Sequence, residues 1–169
     1  MFMMDLDQYK LLKFVNTSMD FDNYFRLVNN SKVMEMITER PIEYVEARED
    51  FKKLLKLNSL SPNFGTYKIL DKSKGHFIGL AKLEITDSHS DIAELGYILI
   101  PEYWGKGIAG QIADHLIQYS KTIKGLKGLF AIIDPKNFAS RRILTKNGFQ
   151  SREFRDFDGL PGEILELTF

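Results

Sequence analysis

Between residues 65 and 100 the chain alternates apolar and polar positions on a two-residue period, and on either side the apolar positions recur on a helical one. Polar clusters cut the alternating region into three. Residues 65–70 and 76–86 flank the turn Asp71-Lys72-Ser73-Lys74-Gly75, and Asp87-Ser88-His89-Ser90-Asp91 leads into 92–100. Strands joined by links this short predict an antiparallel meander. Ahead of it, residues 9–15 read as a first strand. Ser18 or Asp20 then caps a short helix with Phe21, Tyr24, Phe25 and Val28 on its apolar face. Asn30 or Ser31 starts a further turn carrying Val33, Met34 and Ile37. Pro41 is placed as the first residue of a longer helix with Tyr44, Ala47, Phe51, Leu54 and Leu55 inward, and 57–64 as loop.

After the meander, Ile108, Ala109, Ile112, Ala113, Leu116 and Ile117 fall on one helical face, with Lys121 and Lys124 where the helix dipole favours cations. Residues 129–133 form a short apolar strand ended by Asp134-Pro135. Residues 137–147 predict a second helix, with Ala139, Ile143 and Leu144 inward and Gly148 closing it. Residues 149–157 and 163–169 are the last strands, linked by 158–162. The sum is a single α+β domain over residues 1–169, with a mixed, mostly antiparallel sheet of about seven strands flanked by helices.

Composition narrows the function classes. With 44% hydrophobic and 27% charged residues in 169, the chain has the make-up of a soluble globular domain. No apolar run approaches the roughly 18 residues a membrane span needs. The opening MFMMDLDQYK has acids where a signal peptide would carry bases, so a cytoplasmic location is expected, with no membrane partner. Cysteine is absent, which excludes disulfides, thiolate zinc sites and a cysteinyl intermediate. His76, His89 and His115 show no ligand spacing, and no metal is expected. Net charge is zero but unevenly spread. From 121 to 152, Lys121, Lys124, Lys127, Lys136, Arg141, Arg142, Lys146 and Arg152 face Asp134 alone, whereas residues 1–51 lean acidic. Without interleaved aromatics or a recognition helix, the basic half points to a local anionic ligand and not to nucleic acid.

The stretch from Ala93 to Tyr119 concentrates the chemistry: a strand, a glycine-bearing loop and an amphipathic helix in succession. Such a junction aims several backbone N–H groups at one point, where the helix dipole also favours phosphate. Gly105-Lys106-Gly107-Ile108-Ala109-Gly110 fits G-x-G-x-x-G, yet it follows a meander, lies past mid-chain and has no acid between Asp114 and Asp134. A dinucleotide fold requires the opposite on each count. No Gly-Lys-[Ser/Thr] ending supports a P-loop.

The second constellation, Asn137-Phe138-Ala139-Ser140-Arg141-Arg142-Ile143-Leu144-Thr145-Lys146-Asn147-Gly148-Phe149, makes the pattern specific. YWGKGIA together with N-x-x-S-x-R-x-L-x-K-x-G-F resembles the GCN5-related N-acetyltransferase (GNAT) superfamily, closest to its ribosomal-protein N-acetyltransferase-like (RimJ/RimL-type) branch. AELGY, Ile78-Gly79, Arg40-Pro41 and Ala47-Arg48-Glu49 fit the same branch. The resemblance implies acetyl-CoA between splayed strands at 92–100 and 129–133, with no metal. Amides of Trp104, Gly105, Lys106, Gly107, Ile108, Ala109 and Gly110 would hold the pyrophosphate, and backbone at Leu99 and Ile100 would pair with the pantetheine. Asn137 would hydrogen-bond that arm, and the basic cluster would meet the 3′-phosphate.

Leu144 stands where many relatives carry a tyrosine that protonates the leaving thiolate. Ser140, one turn earlier, is the substitute the branch suggests; its alternative is a helix hydroxyl bonded to the backbone. Glu94 is the expected base, Glu84 its rival, and either could instead pair with a lysine. Tyr97 and Tyr103 either line the acceptor site or pack. The expected activity is transfer of acetyl directly to a primary amine in a ternary complex, the acceptor being a protein N-terminus or a small molecule. The alternative is a catalytically silent acyl-CoA-binding or regulatory module. Relatives of this kind are often dimers, so a homodimer is a further expectation.

Overall fold

The computed structural model describes residues 3–169, so the first two positions of the expected 1–169 domain lie outside the described residues. Eight strands form one sheet, against the seven expected. β1 (Met3–Asp5), β2 (Tyr9–Lys13), β3 (Gly65–Asp71), β4 (Phe77–Glu84), β5 (Ile92–Leu99), β6 (Gly128–Ile133), β7 (Gln150–Phe157) and β8 (Leu160–Thr168) lie in the order β1-β2-β3-β4-β5-β6-β8-β7. All neighbours are antiparallel except β5 and β6. The extra strand is β1, which folds back on β2 from Met3↔Leu12 to Asp5↔Lys10.

The helices are α1 (Ser18–Val28), α2 (Ser31–Met34), α3 (Tyr44–Asn58), α4 (Ile108–Lys121) and α5 (Phe138–Lys146). Alternation along the strands builds two apolar layers. On one face Leu95 and Leu99 of β5 and Leu83 of β4 meet Ile108, Ile112 and Leu116 of α4. On the other, Leu80 and Ile98 join an aromatic layer from α1 and α3. There Phe14 meets Tyr24 and Phe51 edge-on, with ring centroids 6.1 and 5.8 Å apart, and Tyr24 stacks on Phe51 at 5.2 Å.

Local hydrogen bonding explains where the elements begin. α1 is capped by Thr17, whose hydroxyl accepts the Asp20 N–H at 3.1 Å, and not by Ser18 or Asp20. Asp20 is released for another task. Its buried carboxylate accepts the Val15 N–H at 2.8 Å and pairs with Lys68 of β3 at 2.7 Å, fastening α1 to the sheet. α2 is capped by Asn30. α3 starts at Tyr44 with Glu43 as N-cap, so Pro41 is not its first residue. Tertiary bonds override that preference: the Ile42 N–H reaches Val28 O at 2.9 Å and Asn29 Nδ2 donates to Ile42 O at 2.9 Å. Tyr44 is 54% exposed, its ring lying over Phe21 and Phe25 instead of entering the core.

Toward the C-terminus, α5 is capped by Asn137, and Leu144 is buried, but Ala139 is exposed where an inward position was expected. β8 begins at Leu160, three residues earlier than expected. Only Asp158 (φ 54°) and Gly159 (φ 90°) remain as the turn, both left-handed as a two-residue hairpin of matching twist requires.

Removing the Asp20 carboxylate leaves Lys68 mostly buried without its partner and the Val15 amide without an acceptor. Asp20→Ala is therefore expected to lower unfolding stability by about 3 kcal/mol, read from denaturant titration.

Candidate active site

The site is built where the sheet opens. β5 pairs with β6 only from Ile92↔Gly128 to Glu94↔Phe130, although β5 runs on to Leu99 and β6 to Ile133. β5 keeps β4 as its other neighbour, and the Ile100 N–H still reaches Ile78 O at 2.9 Å. In that register even-numbered residues of β5 direct their backbone groups to β4, and those of Tyr97 and Leu99 face the gap. Two ends are tied off. The Leu99 carbonyl accepts the Trp104 indole N–H at 2.8 Å, and the Ile100 carbonyl accepts the Tyr103 N–H at 3.0 Å. Leu99 thus presents its N–H to the gap, while both backbone groups of Ile100 are engaged within the protein.

Gly79 sets how closely β4 follows this parting strand. A Cβ there would lie 2.1 Å from Ile98 O and 2.9 Å from Leu99 Cα, so only a glycine lets the two backbones approach as they do.

Past β5, a turn of 3₁₀ helix (Pro101–Tyr103) and the Trp104–Gly107 loop lead into α4. Gly105 (φ 71°) and Gly107 (φ 77°) take the left-handed conformation, Gly107 as the N-cap of α4 without a side-chain bond. The first amide of α4 to find an acceptor is that of Gln111, on Gly107 O at 3.2 Å. Among the described residues, the N–H groups of Gly105, Lys106, Gly107, Ile108, Ala109 and Gly110 therefore have no protein acceptor. A Cβ on Gly105, Gly107 or Gly110 would meet nothing within 4 Å. Six donors at the positive end of a 14-residue helix, bordering open space, form an anion cradle. Trp104 is held from both sides, by Leu99 O through its indole N–H and by Lys32 Nζ 5.4 Å from its ring centroid.

α5 forms the other wall. Asn137 Oδ1 accepts the Ser140 N–H at 3.1 Å, leaving its Nδ2 as the outward donor. Arg141 clamps the helix start, donating through Nε at 3.1 Å to the buried Glu163 of β8 and through Nη2 at 2.8 Å to Pro135 O. The Ser140 hydroxyl makes no bond to the backbone among the described residues, unlike Ser120 and Thr145, which return to Leu116 O at 2.6 Å and Arg141 O at 2.8 Å. Tyr97 reaches toward it from β5. The phenol oxygen is shut off from solvent and has no partner in ordinary hydrogen-bond geometry. Burial raises its pKa, and the neighbouring Ser140 hydroxyl acts in the opposite sense. Tyr97 lies on the α4 face, away from the acidic residues on the α1–α3 face.

On the α1–α3 face, where the strands part, Glu84 and Glu94 sit directly opposite each other. Glu94 Oε2 accepts from Lys82 Nζ at 2.9 Å, and Glu84 Oε1 accepts the Thr66 hydroxyl at 2.6 Å. Glu94 is thus joined to a lysine as a strand acid can be, yet stands at the fork. The Tyr24 hydroxyl feels the same charge: burial raises its pKa most, followed by Asp50, Glu46 and Glu84. Lys82 and Trp104 were the partners that sequence did not expose. The first is a diagonal cross-strand neighbour that requires the register, and the second needs the loop to curl back five residues.

The basic half is partly spent on structure. Arg141, Lys127 and Arg152 pair with Glu163, Asp91 and Glu166. Lys121, Lys124, Lys136, Arg142 and Lys146 have no ion pair among the described residues. No group of three or more metal-binding side chains is assembled among the described residues, and none of their helices is long and apolar enough to cross a membrane.

Residues 11–150 match the family model for the acetyltransferase (GNAT) domain. The chain is 32% identical over 146 residues to spermidine N(1)-acetyltransferase of Escherichia coli K12, covering 85% of this chain and 70% of that one. Among solved structures it is similar to spermidine N-acetyltransferase from Vibrio cholerae in complex with CoA and spermine, with TM-score 0.77, 20% identity and 96% of each chain covered. It is also similar to RimL, a ribosomal L7/L12 α-N-protein acetyltransferase in complex with coenzyme A, with TM-score 0.77, 14% identity and coverage of 96% and 95%.

Gly79→Ala should force β4 and β5 apart at Ile98–Leu99. A stability loss of about 1–3 kcal/mol is expected in denaturant unfolding, the range for overpacking a tight contact.

Proposed function

The chain belongs to the acetyltransferase (GNAT) family and is an acetyl-CoA-dependent N-acetyltransferase, and we propose that it acetylates a cationic primary amine of the polyamine type, admitted from the α1–α3 face of the sheet. The carrying observation is the carboxylate pair on that face: Glu84 sits directly opposite Glu94 at the fork, and Lys82, bound to Glu94, offsets one of the two charges. Such a field draws in an ammonium and repels anionic acceptors. The relatives that act on spermidine support the same substrate class. Residues 1–169 are read as one catalytic domain.

The chain's own groups fit acetyl-CoA. The six acceptorless amides from Gly105 to Gly110 would take the pyrophosphate, the Leu99 N–H and Asn137 Nδ2 the pantetheine, and Lys121, Lys124, Lys136, Arg142 or Lys146 the remaining phosphate. Acetyl-CoA supplies an acetyl group activated as a thioester. Everything else falls to the protein. Glu94, ion-paired with Lys82, accepts a proton from the arriving ammonium so that the amine can attack. Ser140 holds a proton for the departing sulfur. With no cysteine in the chain to carry the acetyl group, attack is direct within a ternary complex.

Thiol release from acetyl-CoA across a panel of polyamines, amino-acid derivatives and N-terminal peptides, with products identified by mass spectrometry, tests the acceptor. Turnover confined to peptides overturns the polyamine reading, and CoA binding without any turnover makes the chain a binding module. Gly107→Asp sets a carboxylate against the anion cradle and should weaken acetyl-CoA binding by about 100-fold or more in calorimetry; an unchanged affinity in the folded variant removes the loop assignment. Glu94→Gln should lower kcat by about 100-fold at neutral pH, with the loss shrinking as pH rises and the amine deprotonates in solution.

A further inference from the structure

We infer that Lys82 is a specificity-determining residue for the acceptor: its ammonium holds Glu94 in the free protein, and an incoming cationic amine displaces it from Glu94 toward Glu84. This rests on the reading above that Glu94 meets the acceptor's ammonium, and goes beyond it by naming the charge that the acceptor must replace.

Three observations meet here. The first is occupancy. Lys82 Nζ lies 2.9 Å from Glu94 Oε2, and the Glu94 side chain makes no other hydrogen bond among the described residues. A primary ammonium already stands on the carboxylate that a substrate ammonium would seek. The second is the path. Lys82 is the cross-strand partner of Gly96, and a Cβ on Gly96 would lie 2.8 Å from Lys82 Cε and 3.0 Å from its Cγ. The lysine stem therefore runs flat over the bare backbone of Gly96 to reach Glu94, two residues back along β5. The third is a second berth. Glu84 follows Lys82 by two residues on the same face, about 7 Å along the strand, and sits directly opposite Glu94. The Thr66 hydroxyl holds its Oε1, and Glu84 has no ion pair among the described residues.

A second lysine–carboxylate pair on this face shows the contrast. Lys68 and Asp20 have side chains 16% and 3% exposed, and Asp20 also holds the Val15 amide, so that pair is closed in. Lys82 and Glu94 are 31% and 21% exposed, open to an ammonium arriving from solvent. Charge counting sets what displaces the lysine. Glu84 and Glu94 bring two negative charges and Lys82 one positive, which leaves the two carboxylates one cation short. A further ammonium on Glu94 is repelled while Lys82 stays beside it. With Lys82 turned to Glu84, each carboxylate has its own ammonium. An anionic acceptor offers Glu94 no replacement for the lysine, which then stays in place.

Lys82→Met keeps a long stem and removes the ammonium, whereas Lys82→Arg keeps the charge and grips a carboxylate with two parallel donors. Each is assayed by thiol release with the panel amine of highest turnover, with acetyl-CoA affinity by calorimetry and thermal midpoint recorded. Lys82→Met is expected to lower KM for the amine about 10-fold with kcat within about 3-fold of wild type, and Lys82→Arg to raise KM about 5-fold. Acetyl-CoA affinity and midpoint should not change in either. Glu84→Gln closes the second berth, so it should raise KM about 5-fold in the wild-type background and less than about 2-fold beside Lys82→Met. A KM raised or unchanged in Lys82→Met, or lowered in Lys82→Arg, overturns the inference. So does a lowered midpoint or weakened acetyl-CoA binding in Lys82→Met, which makes the pair a structural tie. Equal losses from Glu84→Gln in both backgrounds also overturn it, since Glu84 then attracts the acceptor directly. Failure of the underlying reading looks different: Glu94→Gln with wild-type KM and kcat removes Glu94 from the reaction, and the inference falls with it.

Discussion

Everything at the site follows from one interrupted hydrogen-bond ladder. Backbone groups in the middle of a sheet are ordinarily satisfied on both sides, and leaving them otherwise is costly. β5 is held by β4 from Glu94 to Leu99 but by β6 only from Ile92 to Glu94, so Tyr97 and Leu99 carry donors and acceptors that the fold does not use up. Trp104 relieves one of them by turning its indole back onto Leu99 O. The remainder, together with the amides of Gly105 to Gly110, give an edge and a cradle in continuous sequence. One strand, its following loop and one helix start supply nearly all the polar backbone that a long phosphate-bearing ligand needs.

The two faces of the sheet divide the chemistry. The α4–α5 face carries the anion cradle, Ser140 and Tyr97; the α1–α3 face carries Glu84, Glu94 and the acids around Tyr24. The fork joins them. Under the proposed function, a donor bound on one face meets an acceptor arriving from the other without either crossing the other's path. The Asp20–Lys68 pair keeps α1, and with it the aromatic layer, against the second of these faces.

Much of this was legible in the residues. The meander could be placed because Asp71–Gly75 and Asp87–Asp91 break the alternation cleanly, and α4 because its apolar repeat has no competing period. The errors have physical causes. Pro41 suits a helix start, but Ile42 and Asn29 exchange tertiary bonds that hold the chain off the helix until Tyr44. Pro161 reads as a breaker, yet β6 reaches only to Glu163, so at Pro161 β8 has a single neighbour and tolerates the missing N–H. For the site, the glycine loop and Asn137–Ser140 announce themselves by spacing. The Lys82–Glu94 pair and the approach of Tyr97 to Ser140 do not, because each depends on register across strands or on the angle at which α5 returns.

The short run of rungs between β5 and β6 has a mechanical side. β6 shares its full length with β8, from Gly128↔Thr168 to Ile133↔Glu163, and β8 pairs with β7 from Leu160 to Glu166. The last quarter of the chain is thus a small sheet in its own right, joined to the first five strands along a seam a few residues long. Shear and opening concentrate at such a seam, since fewer hydrogen bonds oppose them there than at any other junction from β2 to β8. Glu94 lies on the last rung of this seam and Ser140 on the helix between β6 and β7, so the two proposed catalytic groups stand on opposite sides of it.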